Sequence, residues 1–185
     1  MKINKLYLIP FFTFLMFLII TIGYNSNLSY FIFHFLLMML PLLASMIGGL
    51  LVGSSSMLLI IIFILMGLPL GFSSERSIDF FRYPIGFFFI GLFIATIFVG
   101  LITKKYINSE NGISPLKLII TGILGALIVY IIYIMAFSSY YGYYSSEGVQ
   151  KMIPEILKFG VLPGGISGII AHMLMPKENN NEENS

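Results

Sequence analysis

A long apolar stretch without charged side chains limits what this chain can fold into. No Asp, Glu, Lys or Arg occurs between Lys5 and Glu75. Over the whole chain, 58% of the residues are hydrophobic and 10% are charged, whereas a soluble domain carries about 25% charged residues. Because a helix needs about 20 apolar residues to cross the hydrocarbon core of a bilayer, we expect an all-α integral membrane protein.

The apolar runs predict six transmembrane helices in one membrane domain, residues 1–176. The first run is longer than a signal-peptide core and no cleavage-site pattern follows it, so a retained helix is expected. Residues 30–72 are too many for one helix, and the small polar stretch 53–56 predicts a turn between two helices. The expected spans are residues 6–24, 30–52, 56–72, 84–103, 116–137 and 159–175, followed by a disordered tail at 177–185.

Basic residues predict the orientation of these spans. With six spans both termini lie on one side, and that side holds Lys2, Lys5, Lys104, Lys105, Lys117 and Lys177. The other side holds Arg76, Arg82, Lys151 and Lys158, partly balanced by acids and placed in longer loops. Because Lys and Arg are enriched in cytoplasmic loops, both termini are expected inside. The location expected is a cell membrane, multi-pass, such as a bacterial plasma membrane.

The side chains that usually carry chemistry are sparse. Cysteine is absent, so disulfides and thiol chemistry are excluded. His34 and His172 are expected on opposite sides of the membrane, and the acids all fall in loops or the tail, so we predict no metal site, no cofactor and no enzyme activity. His34 is either part of a ligand cavity or, as the sequence favours, a satisfied or interfacial histidine. The net charge of +2 is too small to predict nucleic-acid binding. The classes of function that remain are ligand binding, passage of a solute through the membrane, and assembly with other proteins.

Small residues interrupt the last apolar run. Pro163 and Gly164 precede Gly168, and glycine inside a helix costs about 1 kcal/mol relative to alanine. Such a run indicates that its backbone comes close either to a ligand or to a neighbouring helix. In the outer loops, Arg82 directly precedes Tyr83 and a predicted helix start. An arginine beside the positive end of a helix can bind an anion, although the alternative of a solvated interfacial charge also fits.

Two motifs together resemble a known family. The sequence GLPLGF at 67–72 is followed by a polar loop and PIGFFFIG at 84–91, and GVLPGGISGIIAH lies at 160–172. In this order and spacing they are similar to segments of the BioY family, the biotin-binding S components of energy-coupling-factor (ECF) transporters. The resemblance covers roughly residues 30–175 and also fits the six expected helices and the chain length.

The resemblance implies a function and a set of site residues. It implies a membrane subunit that captures biotin from outside, among membrane lipids, and delivers it to a transmembrane coupling subunit and two ATPases. Gly86 and Gly164 would allow close backbone approach, and Phe88 would form an aromatic wall. Arg82 or Lys158 would contact an anionic group of the ligand. The implied lining residues are Arg82, Tyr83, Gly86, Phe88, Lys158, Pro163, Gly164 and Gly165.

The chain departs from the family motifs at polar positions. Gly165 stands where the family has an acid, Gly168 where it has a lysine, and Phe88 where it has a tyrosine. Two alternatives therefore stay open beside biotin capture. One is a diverged paralogue that binds another small, more apolar ligand. The other is an accessory or structural membrane protein without a ligand.

Overall fold

All regular secondary structure is helical in the part of the chain that the computed structural model describes, residues 5–25, 30–68, 77–107, 114–141, 154 and 157–175. The expected tail and most of the connection between residues 142 and 156 lie outside these residues. The elements are α1 Lys5–Asn25, α2 Tyr30–Leu65, a 3₁₀ helix Ser77–Arg82, α3 Pro84–Ile107, α4 Pro115–Tyr141, a π-helical turn Leu157–Val161 and α5 Leu162–Leu174.

Within the described residues, four helices are long and apolar enough to cross a membrane. Their apolar segments are Leu6–Gly23, Ile32–Leu65, Pro84–Ile107 and Pro115–Tyr140. α5 is apolar as well, but its 13 residues extend only about 20 Å, which is less than the hydrocarbon core of about 30 Å. The expectation of an all-α, multi-pass membrane protein is therefore confirmed at this level. Helix length supports four spans, so the count of six stays a prediction.

The second helix has its break at a different place from the one expected. Residues 53–56, predicted as a turn, are helical. The backbone instead leaves helical geometry at Gly49, with φ 77° and ψ −172°. This conformation is open almost only to glycine, whereas serines that keep helical φ and ψ do not interrupt a helix. The boundary between residues 52 and 56 is thus corrected to Gly49, one turn earlier.

The two parts of α2 turn back on each other at Gly49. A methyl group at Gly53 would lie 2.8 Å from the Cα atom of Ser45, although residues eight apart in a straight helix are about 12 Å apart. The contacts with α1 agree with this reversal. The Ser56 hydroxyl donates to the carbonyl of Ile9 over 3.1 Å, and the ring of Phe63 lies 6.4 Å from that of Phe17. The second part of α2 therefore runs in the same direction as α1.

The helices pack around α2. Within the described residues, α2 contacts all the other α-helices, α4 packs on α3 and α5, and α1 packs on α2 alone. Where the structure describes the chain, α3 and α5 do not contact each other, and both pack on α2 and α4. The side chains of Leu42, Met46 and Phe89 are completely buried in this core. The arrangement determines which motif residues can meet.

Candidate ligand site

A cluster of aromatic rings joins α2, α3 and α4 near the start of α3. Phe88 is 3% exposed, and its ring centre lies 5.9 Å from that of His34 on α2 and 6.0 Å from that of Tyr133 on α4. Phe89 lies next to Phe88, with 6.1 Å between ring centres. These rings meet edge to face, which is a favourable arrangement for aromatic pairs. We call Phe88, His34 and Tyr133 with Phe89 the aromatic cluster.

The 3₁₀ helix is held against the first turn of α3 by Gly86. The amide of Gly86 donates to the carbonyl of Tyr83 over 3.0 Å. A methyl group at Gly86 would lie 2.5 Å from the Cα atom of Phe81, so only glycine fits here. The close backbone approach expected at Gly86 is thus made to the 3₁₀ helix of the same chain.

Arg82 and Tyr83 lie at the end of the bundle, beyond the aromatic cluster. Arg82 is exposed at the end of the 3₁₀ helix, and Tyr83 is half-buried. The ring centre of Tyr83 lies 5.7 Å from that of Tyr140, near the end of α4. The cation and these two rings form a polar rim about one turn of α3 away from Phe88.

The last motif packs on α4 through backbone contacts. Gly164 faces Gly122, and a methyl group at either position would collide with the backbone of the other. At Gly168, a methyl group would lie 2.6 Å from the backbone nitrogen of Ile119. Pro163 is buried in the first turn of α5. The close approach expected at Gly164 is therefore made to a neighbouring helix.

Gly165 and Lys158 differ from these packed positions. A methyl group at Gly165 would meet no atom closer than 4.0 Å, the nearest being side-chain carbons of Ile119 and Ile123. Gly165 is half-buried, and Lys158 is exposed in the π-helical turn. Gly164 and Gly168 are packed directly on the backbone of α4. Gly165 and Lys158, in contrast, have free space around them.

The predicted lining residues form two groups. Arg82, Tyr83 and Gly86 lie with Phe88 at the start of α3, whereas the other four lie on α5 or the turn before it. Along α4, Phe88 contacts Tyr133 while Gly164 contacts Gly122, a separation of about 16 Å along the helix axis. Among the described residues the two groups do not come into contact, because α3 and α5 pack on α2 and α4 and not on each other.

Three residues of the cluster, His34, Tyr133 and Phe89, are not among the predicted lining residues. The sequence favours a satisfied or interfacial His34 and gives no site role to Tyr133 or Phe89. A polar residue inside an apolar span is a functional candidate by default, and this was the available signal for His34. The place of Tyr133 beside Phe88 follows from packing across two helices and has no local signal. Aromatic surfaces of this kind suit a planar or apolar group, and an imidazole is a side chain that can take part in hydrogen bonds.

Comparisons with known proteins give no assignment. The chain matches no protein-family model, no curated protein and no solved structure.

Proposed function

We propose that this chain is the substrate-capturing membrane subunit of a transporter, of the S-component type, with biotin as its ligand. The observation that carries this proposal is the grouping of Arg82, Tyr83, Gly86 and Phe88 around the start of α3. A ligand at this end of the bundle would meet these four predicted residues together. The aromatic cluster would bind its rings, and the rim with Arg82 would meet an anionic group.

Six membrane crossings with both termini inside are part of this proposal. The reversal at Gly49 supports two crossings within α2. Gly49 contacts Gly100 near the end of α3, and α3 ends with the exposed Lys104 and Lys105. At the same end, the ammonium group of Lys117 lies 5.4 Å from the ring centre of Tyr106. A cluster of lysines is typical of a cytoplasmic end, which supports the expected orientation.

The coupling partners are proposed from the family resemblance alone. These partners, a transmembrane coupling subunit and two ATPases, would use ATP to drive uptake of the ligand that this chain binds. The diverged-paralogue alternative gains support from one observation. The side chains closest to Gly165, where the family has an acid, are those of Ile119 and Ile123, and an apolar ligand suits such surroundings better than a charged one.

Equilibrium binding of tritiated biotin to the purified chain in lipid nanodiscs tests the proposal. We expect saturable binding below micromolar biotin, weakened by Arg82→Ala and unchanged by Lys105→Ala, an exposed cation at the other end of α3. Without saturable binding at micromolar biotin, biotin capture is rejected. Copurification with ATPase subunits would then favour the paralogue that binds another ligand, and its absence would favour the accessory protein.

A further inference from the structure

Three lysines lie where α3 ends and α4 begins. Lys104 and Lys105 are exposed in the last turn of α3, and Lys117 lies in the first turn of α4. The ammonium group of Lys117 is 5.4 Å from the ring centre of Tyr106. An aromatic ring attracts a cation but carries no net charge, so this contact positions Lys117 without neutralising it. We call Lys104, Lys105 and Lys117 the basic cluster.

No acid among the described residues lies near the basic cluster. The described acids consist of Asp79 alone, in the 3₁₀ helix that precedes α3. The lysines lie at the other end of α3, about 30 Å away along the helix axis. Glu110, in the connection 108–113 outside the described residues, carries one negative charge against three lysines. The connection between these two spans therefore keeps a positive net charge.

Exposed apolar side chains lie next to the lysines on the membrane side. Leu101 lies one turn before Lys104, and Ile120 lies one turn after Lys117, so each pair shares one face of its helix. Leu101 is 52% exposed and Ile120 is 47% exposed. Each helix thus presents a cation with an apolar side chain one turn deeper in the membrane. A phospholipid has the same order, with a headgroup above its acyl chains.

Setting the orientation of the protein does not require this arrangement. The positive-inside bias depends on how many lysines and arginines a loop carries, and it does not need an ammonium group in a fixed place. Lys117 is half-buried and held against Tyr106, which costs its long side chain conformational freedom. A positioned lysine near two exposed lysines is instead suited to bind an anion in a fixed place.

We propose that the basic cluster binds the phosphodiester headgroup of an anionic phospholipid, whose acyl chains lie along Leu101 and Ile120. The ammonium groups of Lys104 and Lys117 contact the phosphate oxygens, and Lys105 adds to the attraction. A zwitterionic lipid is disfavoured because its own cation cancels the phosphate charge. A free phosphate ion has no acyl chain to cover the exposed apolar side chains. This site is independent of the transport function proposed above.

Native mass spectrometry of the full chain in detergent, with phosphatidylglycerol and phosphatidylcholine of equal acyl chains, tests the proposal. Wild type should bind one phosphatidylglycerol about tenfold more tightly than phosphatidylcholine, or better. An equal concentration of inorganic phosphate should not displace the lipid. The double change Lys104→Gln and Lys117→Gln should weaken phosphatidylglycerol binding about 25-fold, since each lysine near an anionic lipid contributes about fivefold.

Two double changes are matched controls. Lys104→Arg with Lys117→Arg keeps both charges and should keep the affinity for phosphatidylglycerol. Arg76→Gln with Lys151→Gln removes two positive charges from loops that the sequence predicts on the other side of the membrane. This second pair should leave the affinity unchanged, which separates a local site from an effect of total charge.

A fluorescent reporter measures the lipid next to the cluster in the folded protein. The chain has no tryptophan, so Tyr106→Trp places a single one against Lys117, and tryptophan keeps the cation–π contact. In nanodiscs with equal amounts of both lipids, brominated phosphatidylglycerol should quench this tryptophan more than brominated phosphatidylcholine. Ile94→Trp, at an exposed position in the middle of α3, should be quenched equally by both.

Several results would overturn the lipid site. They are equal affinity of wild type for the two lipids, displacement by phosphate, and equal quenching of Tyr106→Trp by the two brominated lipids. An equal loss in the glutamine variant of the cluster and in the pair Arg76→Gln with Lys151→Gln would also overturn it, because total charge would then explain the binding. If the glutamine variant of the cluster does not fold, the quenching of Tyr106→Trp still decides. Biotin binding is measured separately, so its failure leaves the lipid site standing.

Discussion

The starts of α3 and α5 both carry family-like motifs, but they pack on α4 in different ways. At α3, the contact is made by rings, with Phe88 touching Tyr133. At α5, the contact is made by backbone atoms. Gly164 and Gly168 have no side chains and lie directly on the α4 backbone. Rings can change rotamer around a ligand, whereas two backbones in contact leave no space for one. The comparison gives the α5 glycines a packing role and leaves the start of α3 as the part of the proposed site whose side chains could adjust to a ligand.

The largest expected effect is at the centre of the aromatic cluster. Phe88→Ala removes a buried ring that contacts three others, and it should lower the free energy of unfolding by about 3 kcal/mol. Phe87→Ala is the matched control, since Phe87 is adjacent and 38% exposed. Denaturant titration in mixed micelles gives both values. Equal losses at the two positions would show that the cluster has no special share in the stability.

A second pair of variants tests the backbone contact of α5. In Gly168→Ala the new methyl group would lie 2.6 Å from backbone atoms of α4, so the helices must separate, at about 2 kcal/mol. In Gly165→Ala the methyl group has free space, and the higher helix propensity of alanine should make this change neutral or stabilising by up to about 1 kcal/mol. Melting temperatures in detergent compare them directly. If Gly168→Ala melts at or above Gly165→Ala, the contact does not hold α5 in place.

The break in α2 provides the third comparison. Gly49→Ala places an L-residue at φ 77° and should destabilise the protein by about 1–3 kcal/mol, although its methyl group would meet no atom within 4 Å. Ser55→Ala, inside the stretch where the sequence predicted a turn, should change stability by less than about 0.5 kcal/mol. Unfolding in mixed micelles measures both. A larger loss for Ser55→Ala would return the break to residues 53–56.

The smallest expected effect is on the contact between α1 and α2. Ser56→Ala removes the hydroxyl that donates to the Ile9 carbonyl, and hydrogen bonds between membrane helices contribute about 0.6 kcal/mol. Ser54→Ala is the control, because the Ser54 hydroxyl donates to Leu50 in its own helix. The two variants should therefore differ by a few tenths of a kcal/mol. A loss no greater in Ser56→Ala than in Ser54→Ala would mean that the bond adds nothing between helices.

The same comparison limits how a family-like polar site could be rebuilt. The family resemblance suggests introducing the acid with Gly165→Asp and the lysine with Gly168→Lys. Gly165 has room for a side chain, but at Gly168 any side chain would enter the backbone of α4. The double change is thus expected to separate α4 and α5, and only Gly165→Asp is a usable test of the motif alignment.

Much of the helical layout could be predicted from hydropathy. The expected spans 84–103 and 116–137 fall within α3 and α4, which are a few residues longer at their ends. The break in α2 could not be placed, because Gly48, Gly49 and Gly53 look alike in sequence and only the turn determines which of them takes a positive φ. The contact of His34 with Phe88 could not be predicted either, since it joins residues of two different helices.

The sequence by itself determined the membrane class and the helical content of this protein. Those properties depend on the local sum of apolar side chains, and that sum is visible in any window of about 20 residues. Only the tertiary structure decided what the glycines do and which motif residues meet. Whether a glycine faces a helix, a turn or open space depends on atoms far away in the chain, as the contrast between Gly165 and Gly168 shows. The fold separates two motifs that the sequence presents as one site.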